Sequence, residues 1–144
     1  ASDIHCALGL SQLNKLNKYA ARRKKLAALY DKILAPQAPA IRPIERMAGC
    51  NPAWHLYVIL VDFKKTRISR AELICQLYDE GIGTQVHYIP VHKQPYYQNL
   101  YGDVSLHGAE QYYEQCLSLP LFPGMTEVDV ERVARKLNII INGD

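Results

Sequence analysis

The stretch WHLYVILVDF, residues 54–63, is the part of the sequence that decides the fold. It is apolar almost throughout and rich in aromatic and β-branched side chains, the residue types that favour a β-strand. An apolar run of this length is typical of a buried strand. We therefore predict that residues 54–63 form the central strand of a sheet.

The chain before this strand is predicted to begin with one long helix. Residues 4–34 carry apolar side chains at roughly three- to four-residue spacing, and Ser2 or Asp3 can cap the N-terminus. A continuous helix of about 31 residues would be ~46 Å long. Because that exceeds the width of a domain of this size, we expect part of it to pack outside the domain. We divide the chain into this helix, 1–34, and a small domain, 35–144.

Helix and strand signals alternate around the central strand. Residues 35–53 hold four of the eight prolines and are predicted to be an irregular or extended connection without helix. Ser69 is predicted to cap the next helix, with Glu72 completing a capping box and Gly81 at its end. A second strand is predicted over residues 81–89.

The last third of the chain is predicted to hold two more helices and an edge strand. A loop with a short helical turn follows Pro90, a helix lies within residues 106–119, and LSLPLF runs on as the edge strand. Thr126 caps the final helix. The side chains predicted to face the core are Leu73, Ile74, Leu77 and Tyr78 in the Ser69 helix and Val130, Val133, Leu137 and Ile140 in the last. This order predicts an α+β domain with a three-stranded, mainly antiparallel sheet covered by helices on one face.

Composition excludes several classes of protein. Apolar residues make up 49% of 144 residues, enough to bury a core, and the net charge of +3 does not indicate nucleic-acid binding. No apolar run approaches the ~20 residues of a membrane span, and no signal peptide is evident. The four cysteines are scattered without a CxxC pair, so neither a zinc site nor a disulfide framework is predicted. We expect free thiols and a cytoplasmic location.

The stretch QVHYIPVH, residues 85–92, is the strongest candidate for a functional site. A metal site is disfavoured, because His87 and His92 are five residues apart and point to opposite faces of an extended chain. A Cys–His or Ser–His catalytic pair has no local signature here. Two interpretations remain open: the histidines pack in the fold, or the strand end delivers His87 and Tyr88 into a polar cleft that suits a polyhydroxylated or phosphorylated ligand.

Four stretches together resemble one enzyme family. SDIHCALGLSQLNKL, AWHLYVILVDF, GIGTQVHYIPVHKQPYYQ and YYEQCLSLPLFPGMTEVDVERV, in this order, are similar to the DegT/DnrJ sugar aminotransferases, which depend on pyridoxal phosphate (PLP). The likeness covers essentially the whole chain and extends to the 4-aminotransferases of pseudaminic-acid biosynthesis. Those enzymes aminate a UDP-linked 4-keto-6-deoxy-N-acetylhexosamine.

The resemblance implies a fold and an activity. The chain would be the small C-terminal domain of the aspartate-aminotransferase fold (PLP fold type I), with helix 1–34 lying between domains or at a dimer interface. The lysine that forms the Schiff base with PLP would lie in a preceding large domain, because none of the lysines here matches it. This piece alone would then be inactive and hold no catalytic residue. The whole enzyme would be a homodimer that transfers an amino group from glutamate to the UDP-sugar, in surface-polysaccharide or nonulosonic (pseudaminic) acid biosynthesis.

By the same resemblance, QVHYIPVH forms one wall of the sugar-nucleotide site. His87 and Tyr88 would contact the hexose or its diphosphate, Ile89 and Pro90 would shape the wall, and His92 is a further candidate. Two alternatives stay open. The chain could be a non-catalytic module that binds a nucleotide sugar or dimerises, or it could be a regulator with weak DNA contact.

Overall fold

The computed structural model describes residues 2–143 of the chain. Six α-helices and three β-strands are found in this range. They are α1 (Asp3–Leu13), α2 (Leu16–Leu34), β1 (Ile41–Pro43), β2 (Tyr57–Val61), α3 (Arg70–Asp79), α4 (Pro95–Tyr101), α5 (His107–Gln115), β3 (Cys116–Leu119) and α6 (Glu127–Asn142). Two short 3-10 turns, Ala35–Gln37 and Val91–Lys93, precede β1 and α4. Across residues 2–143, no helix has the combination of length and apolar character that crossing a bilayer requires.

The sheet confirms the predicted α+β class and the predicted central strand. Its order is β1-β2-β3, and both pairings are antiparallel. Strand β2 lies within residues 54–63 and is central, while β3 forms the predicted edge strand and begins at Cys116. Ile59 pairs with Leu117, and Val61 pairs with Ile41. Because directly opposite residues share a face, these four side chains point to the same side of the sheet.

The core lies on that side of the sheet. Tyr57, Ile59 and Val61 alternate along β2 and are almost fully buried. The helices that cover them contribute Leu26, Ala27, Tyr30 and Leu34 from α2, Leu73 and Leu77 from α3, and Val130, Val133, Ala134, Leu137 and Ile141 from α6. Fully burying side chains of this size contributes about 1.5–3 kcal/mol each. The sheet and three helices therefore form a single packed unit.

Two helix caps and the end of α3 confirm their predictions. The Ser69 hydroxyl accepts from the Glu72 amide, and the Glu72 carboxylate accepts from the Ser69 amide, as a capping box requires. Thr126 caps α6 and forms the same reciprocal pair with Asp129. Gly81 follows α3 with a φ of +72°, a left-handed conformation that glycine adopts without strain.

The prediction of one continuous N-terminal helix is wrong. The helix breaks between α1 and α2 at Asn14 and Lys15, where the Lys15 amide donates to the Gln12 carbonyl at 3.0 Å. This bond spans three residues rather than four, and asparagine is a weak helix former because its side chain competes for backbone groups. Ser2, rather than Asp3, is the N-cap. No residue of α1 is buried.

The prediction of a second strand over residues 81–89 is also wrong. Only Gln85 pairs with the sheet, through a single bridge to Ser118 at the free edge of β3. The third strand is instead β1, which comes from the proline-rich segment 35–53 predicted to be irregular or extended. That segment also contains the 3-10 turn Ala35–Gln37, although helix was excluded there. Proline is tolerated in both places, because it suits the first turn of a helix and the edge of a sheet.

Smaller differences concern single side chains and helix length. Tyr78 was predicted to face the core but is exposed, since α3 is covered only along the line of Leu73 and Leu77. On α6, Ile141 is buried and Ile140 is only partly buried. The helix predicted within residues 106–119 ends at Gln115, because the chain becomes extended at Cys116 to enter β3.

Candidate functional site

The segment 85–92 leaves the sheet edge and turns outward. The Gln85 amide donates to the Ser118 carbonyl at 3.1 Å, and the Ser118 amide donates back at 2.8 Å. This reciprocal pair ties the start of the segment to β3. Three residues later the backbone reverses at Tyr88, whose amide donates to the Val86 carbonyl at 3.0 Å.

Tyr88 is the most unusual residue of the segment. Its φ is +32°, in the left-handed region that residues other than glycine rarely adopt, and its side chain is 83% exposed. An exposed aromatic side chain on a strained backbone gains nothing from burial. Strain of this kind is often found where a side chain is held for binding.

His87 lies beside Tyr88 and against α5. Its imidazole meets the Tyr112 ring edge-on, with 6.2 Å between the ring centroids. Together with Leu56, Val86 and Ser118, His87 and Tyr88 line a shallow hollow of about 230 Å³. Imidazole and phenol groups can both donate and accept hydrogen bonds, so this hollow can bind a ligand rich in hydroxyl or phosphate groups.

His92 is held in a different way. The 3-10 turn Val91–Lys93 follows Pro90 and carries the His92 side chain inward, where only 11% of it is exposed. Its Nε2 lies 3.1 Å from Oε1 of Glu110, on the first turn of α5. Since an ionised carboxylate can only accept, Nε2 is the donor.

Glu110 collects three donors on one side. In addition to His92, its Oε1 accepts from the Leu106 amide at 3.1 Å and lies 3.4 Å from Nζ of Lys93. The hydrogen bond from His92, that from the Leu106 amide and the nearby Lys93 charge lower the pKa of the Glu110 carboxyl to about 2. Glu110 is therefore ionised at neutral pH. The Lys93 ammonium also pairs with Asp103 at 3.0 Å, and this hydrogen bond is the main cause of its raised pKa.

A second, larger hollow lies beside the 3-10 turn Val91–Lys93. It has a volume of about 500 Å³, and Pro90 and His92 line it together with Tyr97, Tyr101 and Leu106. We call it the α4 hollow. Its walls are largely apolar, which suits the face of a ring.

The structure therefore divides the five predicted site residues between two surfaces. His87 and Tyr88 line the hollow beside Ser118, and Pro90 and His92 line the α4 hollow. Ile89 lies between them, about half exposed. Its carbonyl accepts from the Gln94 side chain at 3.3 Å, which closes the turn.

Two residues that hold the segment in place are not among those predicted from the sequence. Glu110 and Tyr112 contact His92 and His87 from a helix that begins 15 residues after His92. An acidic residue in the first turn of a helix is ordinarily explained by the helix dipole alone. The only available signal was the position of Glu110 after an N-cap, Leu106, that has no side-chain acceptor of its own.

The groups around the segment 85–92 fit neither a metal nor the lysine-bound form of PLP. Residues 2–143 contain no cluster of three or more His, Cys, Asp or Glu side chains suited to a metal ion. A Schiff base requires a lysine facing the substrate, yet no lysine lines either hollow. Lys93 is the nearest in sequence to the segment, and its ammonium is paired with two carboxylates.

The sequence pattern of one protein family matches almost the whole chain. The DegT/DnrJ/EryC1/StrS aminotransferase family matches residues 1–138. The chain belongs to this family. Its α+β fold with a small antiparallel sheet is that of the small domain in aminotransferases of PLP fold type I.

Individual relatives agree with this assignment. The spore coat polysaccharide biosynthesis protein SpsC of Bacillus subtilis is 42% identical over 144 residues, which cover 98% of this chain and 37% of SpsC. Helicobacter pylori PseC, an aminotransferase involved in the biosynthesis of pseudoaminic acid, superposes with a TM-score of 0.85 at 30% identity, covering 96% of this chain and 37% of PseC. The Streptococcus pneumoniae sugar aminotransferase Spr1654 in its PLP form gives a TM-score of 0.84 at 27% identity, with coverages of 96% and 35%. The chain thus spans little more than a third of each relative.

Proposed function

We propose that this chain is the C-terminal small domain of a PLP-dependent sugar-nucleotide aminotransferase. The match of residues 1–138 to the aminotransferase family carries the proposal. No lysine lines either hollow beside the segment 85–92, so we infer that the cofactor and its lysine would be held by a part of the protein beyond these 144 residues. PLP supplies the electron sink for amino transfer, and the residues of this chain bind and orient the sugar.

The proposed substrate is a UDP-linked 4-keto-6-deoxy-N-acetylhexosamine, with glutamate as amino donor. Amination at C4 would serve surface-polysaccharide or nonulosonic (pseudaminic) acid biosynthesis. The names of two relatives support this direction, since SpsC is a polysaccharide biosynthesis protein and PseC acts in pseudoaminic-acid biosynthesis. The chemistry of the segment agrees, because donors and acceptors beside an apolar wall suit a hexose and its diphosphate.

Residues 87–92 form the proposed substrate wall. His87 and Tyr88 would contact the hexose or diphosphate, while Ile89 and Pro90 give the wall its shape and His92 lines its second surface. Support comes from the exposure and left-handed backbone of Tyr88 and from the hollow that it shares with His87. Neither histidine is proposed as the general base, since the Schiff-base lysine beyond these residues would hold that role.

The exposure of α1 supports the proposed role of the N-terminal helical region 1–34 between domains or subunits, and it does so for residues 3–13. Ile4 is 81% exposed and Leu8 is 59% exposed, and Leu10 and Leu13 are also exposed on other sides of the helix. A helix with apolar side chains all round is normally buried. The rest of the enzyme, or a second subunit of a homodimer, would cover it. The same helix favours the alternative of a non-catalytic dimerisation module.

The proposal is tested with the product of the complete reading frame. We expect its intact mass to be well over twice that of these 144 residues. We also expect it to convert the UDP-4-keto sugar with glutamate as donor, followed as 2-oxoglutarate formation. Tyr88→Ala should weaken sugar binding about 10-fold or more, as loss of a charge-assisted contact to the diphosphate predicts. Tyr78→Ala is the matched control, because Tyr78 is also an exposed tyrosine but lies on α3.

The outcomes separate the alternatives. A product with the mass of this chain alone and no turnover would contradict the aminotransferase and leave the binding module, which titration with UDP-N-acetylglucosamine would then detect. Equal losses in the Tyr88 and Tyr78 variants would contradict the substrate wall while leaving the aminotransferase intact.

A further inference from the structure

Helix α5 touches the proposed substrate wall at two points. Tyr112 packs edge-on against His87, and Glu110 accepts from His92 at 3.1 Å. Strand β3 holds the wall at its start, where Gln85, two residues before it, pairs with Ser118 and the Cys116 thiol donates to the His87 carbonyl at 4.0 Å. The position of the wall after His87 therefore depends on its contacts with α5.

The chain between the wall and α5 has little support of its own. Helix α4 carries no buried residue and packs chiefly against the turn Val91–Lys93. Residues 91–106 thus form a loop whose two ends return to one carboxylate. At one end Glu110 binds His92 and Lys93, and at the other it binds the Leu106 amide.

The geometry of this carboxylate predicts that a neutral residue is a poor replacement for it. All three donors converge on Oε1, within 3.1 to 3.4 Å. A glutamine has only one acceptor oxygen, and if its amide group flipped, its NH₂ would face the three donors. It would also lose the negative charge that Lys93 faces. Charge-assisted hydrogen bonds of this kind are roughly twice as strong as neutral ones.

We propose that Glu110 is a positioning residue for sugar-nucleotide binding, which closes the 91–106 loop and thereby sets the substrate wall. The inference rests on the proposed function, since it assigns a role within that site. Glu110 does not itself touch the sugar. It acts through His92, whose ring lines the α4 hollow.

A residue with this role leaves a specific kinetic signature. The wall binds the sugar nucleotide equally in the ground state and in the transition state, so loosening it raises KM and leaves kcat nearly unchanged. In the protein from the complete reading frame, Glu110→Gln should raise KM for the UDP-4-keto sugar about 10- to 100-fold, the range expected for lost charge-assisted hydrogen bonds. Amide hydrogen exchange should rise across residues 91–106 and stay unchanged in β2 and β3.

Glu114→Gln is the matched control. Glu114 lies one turn further along α5, is mostly exposed, and pairs with Lys64 at 3.7 Å on the surface. Exposed pairs of this kind contribute little, so KM and exchange should both stay at wild-type values. His92→Ala completes a double-mutant cycle, in which the variant lacking both side chains should be no worse than the poorer single variant.

Each result decides the question. The positioning role is overturned if Glu110→Gln keeps the wild-type KM, whether or not the loop loosens. It is also overturned if the losses in the double-mutant cycle are additive, or if Glu114→Gln has the same effect as Glu110→Gln. A fall in kcat without a rise in hydrogen exchange would also overturn it, because Glu110 would then act directly on the reaction. If the wild-type protein neither binds nor converts the sugar nucleotide, the proposed function fails and this inference falls with it. Wild-type turnover with unaffected variants overturns this inference alone.

Discussion

Helix α1 and the second half of α2 show how similar apolar content can meet different surroundings. Leu26, Tyr30 and Leu34 on α2 are fully buried against the sheet and α6. Every residue of α1 is exposed, although Ile4, Leu8 and Leu13 are equally apolar. The apolar pattern along the chain reports which residues avoid water, and it does not report what covers them.

The two helices also differ in how their apolar residues are arranged. On α2 they lie along one stripe, which packs against the sheet and α6. On α1 they point in several directions, so a single neighbouring surface would leave some of them exposed. Covering α1 therefore takes more than one partner surface, which is how an interdomain or intersubunit helix is surrounded.

The largest expected difference between the two regions is in stability. Leu26→Ala in this chain should lower the free energy of unfolding by about 2–5 kcal/mol, because it opens a cavity in a close-packed core. Leu8→Ala should change it by less than about 0.5 kcal/mol. Urea unfolding followed by circular dichroism measures both. A large loss with Leu8→Ala would mean that α1 is already covered in solution, for example by a second copy of the chain.

A smaller effect is expected from the polar contacts that join α2 to the sheet. Tyr57 stacks on Tyr30 with 4.6 Å between ring centroids, and its hydroxyl donates to Asp31 at 2.8 Å. Tyr57→Phe should cost about 1.5 kcal/mol, since Asp31 keeps its pairing with Arg46 but loses one donor. Tyr78→Phe is the control, because that exposed side chain lies outside the core.

Tyr57→Phe should also change how the stability of the domain depends on pH above 10. Burial raises the pKa of both Tyr30 and Tyr57 above their usual value of 10.0. A raised pKa in the folded state means that the unfolded chain loses its protons first, so stability falls as the pH rises above 10. Each tyrosine contributes a slope of up to about 1.4 kcal/mol per pH unit. Between pH 10 and 11, Tyr57→Phe should therefore lose stability less steeply than wild type, and parallel slopes would contradict the burial argument.

Local signals in the sequence were enough for the elements that depend on neighbours along the chain. The central strand, the capping box at Ser69, the N-cap at Thr126 and the glycine after α3 all follow from residue type and spacing, and the structure confirms them. The third strand could not be found in this way. Ile41–Pro43 is only three residues long, and its strand conformation comes from pairing with β2, a contact distant in sequence.

The candidate site shows the same limit. The segment 85–92 could be singled out by its composition, but its strand prediction failed because only Gln85 reaches the edge of β3. The left-handed Tyr88 ends the extended conformation, and no spacing rule indicates a tyrosine there. The role of Glu110 could not be predicted, because it contacts His92 across 18 residues of sequence. The loop between them brings the two together, and no periodic pattern in the sequence indicates that contact.

The smallest predicted effect compares helix caps in the two regions. Thr126 caps α6, whose apolar stripe is buried, so unravelling its first turn also disturbs the core. Thr126→Ala should therefore lower the global free energy of unfolding by about 1 kcal/mol. Ser2 caps α1 through its hydroxyl, which accepts from the His5 amide at 3.5 Å. Because α1 buries nothing, it can fray without unfolding the domain, so Ser2→Ala should speed amide exchange in α1 and leave the urea midpoint unchanged. A shift of the midpoint by Ser2→Ala equal to that of Thr126→Ala would mean that α1 unfolds together with the core, and the contrast between the two helices would then lie in their exposure alone.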